Sequence, residues 1–481
     1  MSQIKALVKE SFAYGFANIV SRFIGFLLMP LYTNILTPDD YGILNVVNIT
    51  IMLVTLFAVL GLDGAVHVFF WDSEDTEKKK RIFSSWYWSQ LVFSIVLAAI
   101  MIFFSDTMAE GLFKSTEHAD KFRLSALILL TGILPSIVIN WFRVRRMPWP
   151  TTWYSLIMSL ITIGLNVWFI AGLRWGIKGF FLAQIISGSI MSLVAIYIMK
   201  DWLSPLRVSR SLLRQMLKYS LPMIPTPLAF WSLNFAGSYF LQVIKGETEV
   251  GLFQKGSTIA SIMMLVISSF TQAWGPFAMS IKENKDSNNL YAKVLILYSS
   301  VAGIFAVIIG VFAYEILVIM TAPAYRTAHF VTSILAFNTV ITGLNFIAAL
   351  GLNFVKNMKP YSFAIIMGAV FNLCLYSLVI KQFGKEGCAL ITLLSNIVVS
   401  AWIFRAAQKA YFIPYDFKKS VLIFFICVLA VIVGKSISTE NFWTSVFIKM
   451  GIVLIVSGLL FTLNKNAYSN VFSKIGIINR N

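Results

Sequence analysis

Residues 294–313 read VLILYSSVAGIFAVIIGVFA, a run of twenty residues without a charged side chain. A membrane-spanning α-helix needs about 20 predominantly apolar residues to cross the hydrocarbon core of a bilayer. A membrane-spanning strand would need only about ten residues and would alternate polar with apolar side chains, which this run does not do. The run therefore predicts a transmembrane helix.

Similar runs recur along the whole chain and predict an all-α polytopic membrane protein. Of the 481 residues 58% are hydrophobic and 12% are charged, whereas an ordinary soluble chain is about one-quarter charged. This composition disfavours a water-soluble enzyme. We predict about 14 transmembrane helices, over residues 10–36, 41–70, 82–105, 123–142, 150–172, 176–199, 218–244, 250–280, 289–313, 327–353, 360–381, 387–408, 420–436 and 442–463.

The basic residues predict how the chain is oriented in the membrane. The formal net charge is +18, and most lysines and arginines fall in the loops on the same side as the N-terminus. An excess of Lys and Arg marks the cytoplasmic side, so we expect both termini in the cytoplasm. Because the basic residues punctuate apolar runs and do not form a patch on polar surface, nucleic acid is not an expected partner.

The two halves of the chain resemble each other at a spacing near 209 residues. Gly42 matches Gly251, and Pro150 matches Pro360. A shift of six spans preserves orientation, which predicts two parallel six-helix repeats, an architecture that places a substrate cavity between the repeats. The predicted organisation is a first bundle over 1–199, a cytoplasmic amphipathic linker over 200–217, a second bundle over 218–409, and two extra spans with a cytoplasmic tail over 410–481.

Arg22 is the strongest candidate for substrate binding. It lies near the middle of the first predicted span, and Asn18 lies one turn before it on the same helix face. A charge at the centre of a membrane helix costs about 2.5–3.5 kcal/mol on insertion scales, so it usually faces protein or water. The face around Arg22 is interpreted as a cavity wall that attracts an anion. The alternative is an interhelical hydrogen bond from a buried arginine.

Four further charged or titratable positions fall within the predicted spans. Asp63 and His67 lie one turn apart and could pair directly. They are candidates for proton or cation coupling, and the alternative is a local structural pair. Lys255 either lines the same cavity as Arg22 or extends to the outer headgroups. For Lys449, in the last span, extension to the headgroups is favoured over contact with a lipid-tail groove.

The seventh span begins with three prolines, the second of which is Pro225, and continues with a polar face that starts at Asn234. This pattern predicts either a bent gate helix or an ordinary proline-rich helix start. Before this span, Arg210 and Arg214 recur at helical spacing and predict an amphipathic helix on the cytoplasmic surface. Arg143 and Arg146 lie between tryptophans, a pattern typical of the membrane interface.

The sequence contains no pattern of a catalytic or metal site. The three histidines are scattered, and the three cysteines lie far apart, in or beside apolar runs. There is no nucleophile elbow, phosphate-binding glycine loop or Walker lysine. We therefore expect neither an enzyme nor a protein with a cofactor.

Four segments resemble the Wzx-like polysaccharide (O-antigen-type) flippases of the MOP exporter superfamily. They are LTPDDYG at 36–42, GLDGAVHVFF at 61–70, EVGLF at 249–253 and FTQAWGPF at 270–277. His67 departs from the family pattern, which commonly has an arginine there. The fourteen-span layout and the six-plus-six repeat also agree with this family.

The resemblance implies a transporter that flips lipid-linked oligosaccharide. An undecaprenyl-diphosphate-linked sugar would move from the cytoplasmic to the periplasmic leaflet of a bacterial inner membrane by alternating access through a cationic central cavity. The expected partners are this anionic lipid-linked oligosaccharide, membrane lipids and polysaccharide polymerase or ligase machinery, and the coupling ion would be H⁺ or Na⁺. The alternatives are a cation-coupled multidrug (MATE-like) exporter and a membrane enzyme acting on lipid-linked sugars.

Overall fold

The computed structural model describes residues 20–21, 23–283, 286–437 and 441–474. Regular secondary structure within these ranges is helical throughout, which confirms the all-α membrane class. Ten of the described helical segments are long and apolar enough to cross a membrane, and the bent pair over 247–280 makes an eleventh. Thirteen of the fourteen predicted spans fall on described helices, while residues 10–19 and 22 of the first span lie outside the described residues.

The chain divides into two compact units, Met1–Trp231 with Gly246–Gly251, and Ser232–Lys245 with Leu252–Asn481. Nine α-helices of the first unit have both ends among its described residues. They are α1 (Met29–Thr33), α2 (Pro38–Val59), α3 (Leu62–Trp71), α4 (Thr76–Phe103), α5 (Ser105–Phe113), α6 (Ala119–Val144), α7 (Pro148–Asn166), α8 (Gly176–Met199) and α9 (Arg210–Ser220).

The next two helices, α10 (Pro225–Lys245) and α11 (Glu247–Ala260), contribute residues to both units. The rest of the second unit follows in chain order. Its helices are α12 (Met263–Ser280), α13 (Ser287–Val311), α14 (Ala313–Met320), α15 (His329–Ala348), α16 (Leu350–Phe354), α17 (Lys359–Ala410), α18 (Phe417–Ser436) and α19 (Phe442–Lys474).

A capping box fixes the start of α2. The hydroxyl of Thr37 accepts a hydrogen bond from the backbone N–H of Asp40, and the Asp40 carboxylate accepts one from the backbone N–H of Thr37. Pro38 occupies the first helical turn, where its missing N–H costs nothing. These reciprocal bonds satisfy two backbone donors that a helix start leaves free, so the position of this terminus is firmly set.

The predicted span 41–70 is two helices. Leu60 and Gly61 both adopt the left-handed conformation, with φ of 50° and 65°, and they separate α2 from α3. Two successive left-handed residues cannot continue a right-handed helix. Leu62 then enters the core of the first unit, where Trp86, Ile137 and Met216 are also buried.

The predicted spans 360–381 and 387–408 are two helices that meet at a kink, and together they form α17. Gly384, with φ 51° and ψ −132°, is the single residue in it that departs from helical geometry. A residue with a Cβ would be strained in that conformation, so one glycine takes the place of the short loop expected there.

Small residues bring α13 and α18 close together in the second unit. A Cβ at Gly303 would lie 2.9 Å from the Cys427 sulfur, and a Cβ at Gly310 would lie 2.9 Å from a Val431 methyl. Glycine on a helix face lets neighbouring membrane helices approach closely and gain van der Waals contact. This packing ties the extra helix α18 to the second repeat.

Candidate functional site

The first turns of α2 and α11 cross at two glycines. A Cβ built on Gly42 would lie 2.7 Å from the carbonyl carbon of Glu247 and closer still to its oxygen. A Cβ built on Gly251 would lie 2.7 Å from the carbonyl carbon of Pro38, again closer to the oxygen. The two helix starts therefore touch through backbone atoms, with no side chain between them.

The crossing is reciprocal under the internal repeat. Pro38 and Gly42 of the first repeat correspond to Glu247 and Gly251 of the second at the same spacing of 209 residues. Gly42 packs on Glu247, and Gly251 packs on Pro38. A hydrogen bond obeys the same spacing, since the Thr248 hydroxyl donates to the Asp39 carboxylate. The glycine match in the sequence thus corresponds to a physical contact.

Lys255 lies one turn beyond Gly251 on α11 and is buried, with 5% of its surface exposed. A lysine that extends to lipid headgroups keeps its ammonium in water, so the burial of Lys255 is inconsistent with that alternative. On α2, Asn45 is buried one turn beyond Gly42. The crossing is therefore followed on both helices by a buried polar side chain.

Arg22 and Asn18, the two other predicted substrate-binding residues, lie outside the described residues. Their assignment stays a prediction. The described part of the first span comprises residues 20–21 and the stretch from residue 23 onward, which leads to Met29–Thr33.

Asp63 and His67 do not pair in the structure. The Asp63 carboxylate accepts a hydrogen bond from the backbone N–H of Gly64, 2.9 Å away, and its side chain is exposed. The break before α3 places Asp63 in the first turn of that helix. There a carboxylate interacts favourably with the free N–H groups and with the positive end of the helix dipole. The predicted contact is therefore wrong, and a coupling role for either residue stays a prediction.

The prolines before and within α10 lie at its start. Pro222 belongs to a short 3₁₀ turn over Leu221–Met223, and Pro225 is the first residue of α10. From there the helix continues to Lys245. Asn234 is half-buried, while Ser238 and Gln242 on the same face are buried. This geometry matches the alternative of an ordinary proline-rich helix start, and a gate role for Pro225 and Asn234 stays a prediction.

The predicted surface arginines are all exposed. Arg143, Arg146, Arg210 and Arg214 are accessible, whereas Met216 on α9 is fully buried in the core of the first unit. Arg146 lies over the ring of Trp71 with 5.5 Å to its centroid. This arrangement is the one expected of an amphipathic helix and an aromatic belt at a membrane interface.

Lys449 forms a buried ion pair that the sequence interpretation missed. Its Nζ lies 2.5 Å from Oε1 of Glu315, and the Ser445 hydroxyl donates to the same oxygen over 2.8 Å. Glu315 and Lys449 are 4% and 5% exposed. The expected extension of Lys449 to the headgroups is therefore wrong. A glutamate inside the apolar run VFAYEILVIM at 311–320 was the signal that could have predicted a basic partner.

The second unit also contains an uncharged polar network that was not predicted. Asn372 is fully buried, its amide donates to the Leu233 carbonyl over 2.8 Å, and its oxygen accepts from Ser395. Nearby on α17, the hydroxyls of Tyr376 and Thr392 lie 3.0 Å apart. Buried polar groups that are satisfied in this way specify one packing of the helices.

A sequence-family model described as "Polysaccharide biosynthesis protein" matches residues 7–282. No curated protein sequence matches the chain significantly. Among solved structures, lipid II flippase MurJ in an inward closed conformation aligns with a TM-score of 0.74 at 16% identity, over 95% of this chain and 99% of that one.

Two MATE structures are similar over less of the chain. An inward-facing multidrug resistance MATE family transporter of the MOP superfamily aligns with a TM-score of 0.62 at 14% identity, over 89% of this chain and 96% of that one. A mutant of the Vibrio cholerae MATE transporter VcmN aligns with a TM-score of 0.60 at 16% identity, over 85% of this chain and 97% of that one. The chain is therefore a multi-pass membrane protein with the fold of MOP-superfamily transporters.

Proposed function

The chain belongs to the polysaccharide biosynthesis protein family, and from this premise we propose that it is a flippase for lipid-linked oligosaccharide. The cargo would be an undecaprenyl-diphosphate-linked oligosaccharide that moves from the cytoplasmic to the periplasmic leaflet of a bacterial inner membrane. Polysaccharide polymerase or ligase machinery would then use the product on the outer side.

The diphosphate of this cargo determines which groups the protein must provide along the transport path. A diphosphate cannot enter hydrocarbon without a compensating charge and water, because an ion loses most of its hydration there. Within the described residues, Lys255 supplies a buried amino group one turn from the helix crossing. Arg22 and Asn18 would add a guanidinium and an amide on the first helix. We assign these three residues to recognition of the diphosphate.

The reciprocal crossing at Gly42 and Gly251 is the observation that carries the proposal. Two helix starts related by the repeat meet through backbone atoms and one hydrogen bond between Thr248 and Asp39. Such a contact is tight yet rests on few interactions, so it can separate and re-form as a unit. In the proposed cycle the crossing stays closed while the cargo loads from the cytoplasm, and it opens to release the cargo.

Energy coupling is assigned to Asp63 and His67. Asp63 is exposed and does not pair with His67 in this conformation, so its carboxylate is accessible to a coupling ion. Rates measured with imposed proton, sodium and voltage gradients test this role. Transport that ignores all three gradients would exclude Asp63 and His67 as coupling residues.

A reversible crosslink across the crossing tests the proposal. The Asp39→Cys/Thr248→Cys variant, with the exposed Cys374 replaced by serine, would be reconstituted with a fluorescent undecaprenyl-diphosphate oligosaccharide in liposomes. A membrane-impermeant quencher reports the fraction of cargo that has crossed. We expect oxidation to stop transport and a thiol reductant to restore it.

A matched control separates this effect from oxidation itself. Thr162 on α7 and Ser187 on α8 have hydroxyl oxygens 2.8 Å apart, so Thr162→Cys/Ser187→Cys joins two helices within the first unit, away from the crossing. Oxidised control protein should transport as fast as control protein that has been treated with the thiol reductant. Undiminished transport by fully oxidised Asp39→Cys/Thr248→Cys protein would refute the gate, and no transport by reduced protein would refute the cargo.

A further inference from the structure

A cavity of about 430 Å³ lies in the second unit where five helices begin or end. It is lined from the end of α13, from α14, from the start of α15, from the end of α18 and from the start of α19. Small-molecule sites typically enclose about 300–1,000 Å³. The distribution of basic residues predicts that these helix ends lie on the outer side of the membrane.

The cavity has an excess of positive charge. Its described lining contains three cations, Arg326, Lys435 and Lys449, and one acid, Glu315. Lys449 is neutralised by Glu315 at 2.5 Å. Neither Arg326 nor Lys435 forms an ion pair with a described acid, and the carboxylate of Glu386 acts on Lys435 only from a longer distance. Two basic side chains without an ion pair in a partly enclosed space attract an anion.

Lys435 is held in place by neutral groups. Its Nζ donates to the backbone carbonyl of His329 over 3.1 Å and lies 3.9 Å from the ring centroid of Phe330. Neither partner cancels its charge. The ammonium is therefore positioned at the cavity wall with a donor to spare.

Glu315 lines the same cavity and has an acceptor oxygen that no described donor uses. Its Oε1 accepts from Ser445 and Lys449, while its Oε2 is buried and has no hydrogen-bond partner among the described residues. The residue as a whole is 4% exposed. A buried acceptor without a donor is costly. A ligand or water in the cavity that donates a hydrogen bond to Oε2 would remove this cost.

We propose that this cavity binds a hydroxylated anion. A carboxylate or phosphate group would lie against Arg326 and Lys435, and an adjacent hydroxyl would donate to Oε2 of Glu315. Tyr314 and Phe442, which also line the cavity, would cover the apolar side of the ligand. Two sources have this chemistry, an acidic sugar such as a uronic acid and the head group of phosphatidylglycerol. Binding to this site can be measured without transport.

Calorimetry on the full chain tests the site. The protein would be placed in nanodiscs of neutral phosphatidylcholine and titrated with glucuronate, with glucose and with acetate. We expect saturable binding of glucuronate, and binding weaker by about tenfold or more for glucose, which lacks the anion, and for acetate, which lacks the hydroxyls. Nanodiscs that contain phosphatidylglycerol test the second source, which would compete with glucuronate or raise the melting temperature of the protein.

Variants assign the effect to the cavity. Lys435→Gln keeps a donor for the His329 carbonyl but removes the charge, and Arg326→Gln removes the second charge; each should weaken binding by about tenfold or more. Lys418→Gln is the matched control, because Lys418 is exposed at the other end of α18. If only phosphatidylglycerol stabilises the protein, and Lys435→Gln loses this stabilisation, then the lipid is the source of the ligand. Binding of neither ligand, or equal binding by parent, Lys435→Gln and Arg326→Gln proteins, overturns the proposal.

Discussion

Replacing Gly251 by alanine should open the helix crossing. A Cβ at this position would lie 2.7 Å from the carbonyl carbon of Pro38, whereas ordinary contact begins near 3.4 Å, so the helix starts must separate by at least 3.4 − 2.7 = 0.7 Å. The obstacle is backbone and cannot rotate away. Overpacking of this kind costs about 1–3 kcal/mol.

That cost falls on the closed state alone. Alanine also favours the helix by about 1 kcal/mol, but α11 is expected to stay helical when the crossing opens, so this gain cancels between the two states. A difference of about 1–3 kcal/mol changes the ratio of open to closed molecules by about 5–150-fold. Gly42→Ala should have a similar effect, since its Cβ meets Glu247 in the same way.

Cysteine labelling measures the open population. Ile43 is 6% exposed in the closed crossing, and Ile43→Cys in a Cys374→Ser background would react with a membrane-impermeant maleimide only after the helix starts separate. We expect Gly251→Ala to raise the labelling rate about fivefold or more. Ile137→Cys, placed at a fully buried position in the core of the first unit, reports any general unfolding.

Gly132→Ala is the matched control, because a Cβ at Gly132 would meet nothing within 4 Å. It should leave the labelling rate unchanged. An unchanged rate in both Gly251→Ala and Gly42→Ala would refute the inference that backbone contact at the crossing controls access.

Three other expectations follow from the structure and the sequence. Lys449→Met leaves Glu315 buried without its partner and should destabilise the protein by about 3–5 kcal/mol, whereas Lys449→Met/Glu315→Leu should recover most of this loss in thermal unfolding. Arg22→Ala should abolish surface polysaccharide in cells while the protein stays in the membrane, and Arg22→Lys should retain part of it. Neutralising Arg210 and Arg214 to glutamine should weaken attraction to anionic lipid by about 1 kcal/mol per residue, measured by native mass spectrometry of bound lipid.

The apolar runs predicted the helices well because the bilayer imposes one length and one composition on a spanning helix. Their interruptions were harder to foresee. Leu60 adopts the left-handed conformation that ends α2 although leucine rarely does so, and Gly384 turns the chain within a single residue. Both depend on how the neighbouring helices pack, and hydropathy does not report packing.

The residues of the crossing were visible in the sequence as a repeat, while their contact was not. Gly42 and Gly251 stood out by their spacing, but a shared spacing says nothing of distance. Lys449 was misjudged for a related reason. Its partner Glu315 precedes it by 134 residues and lies in a stretch that hydropathy predicts as a connection between spans, so only the folded chain brings the two charges together.

The Glu315–Lys449 pair also constrains how the protein is made. Glu315 is synthesised 134 residues before Lys449. Its carboxylate therefore lacks its partner until the last helix is synthesised. Truncation before α19 would leave this carboxylate without the counter-charge that Lys449 supplies. The final helix therefore neutralises a charge that was synthesised much earlier.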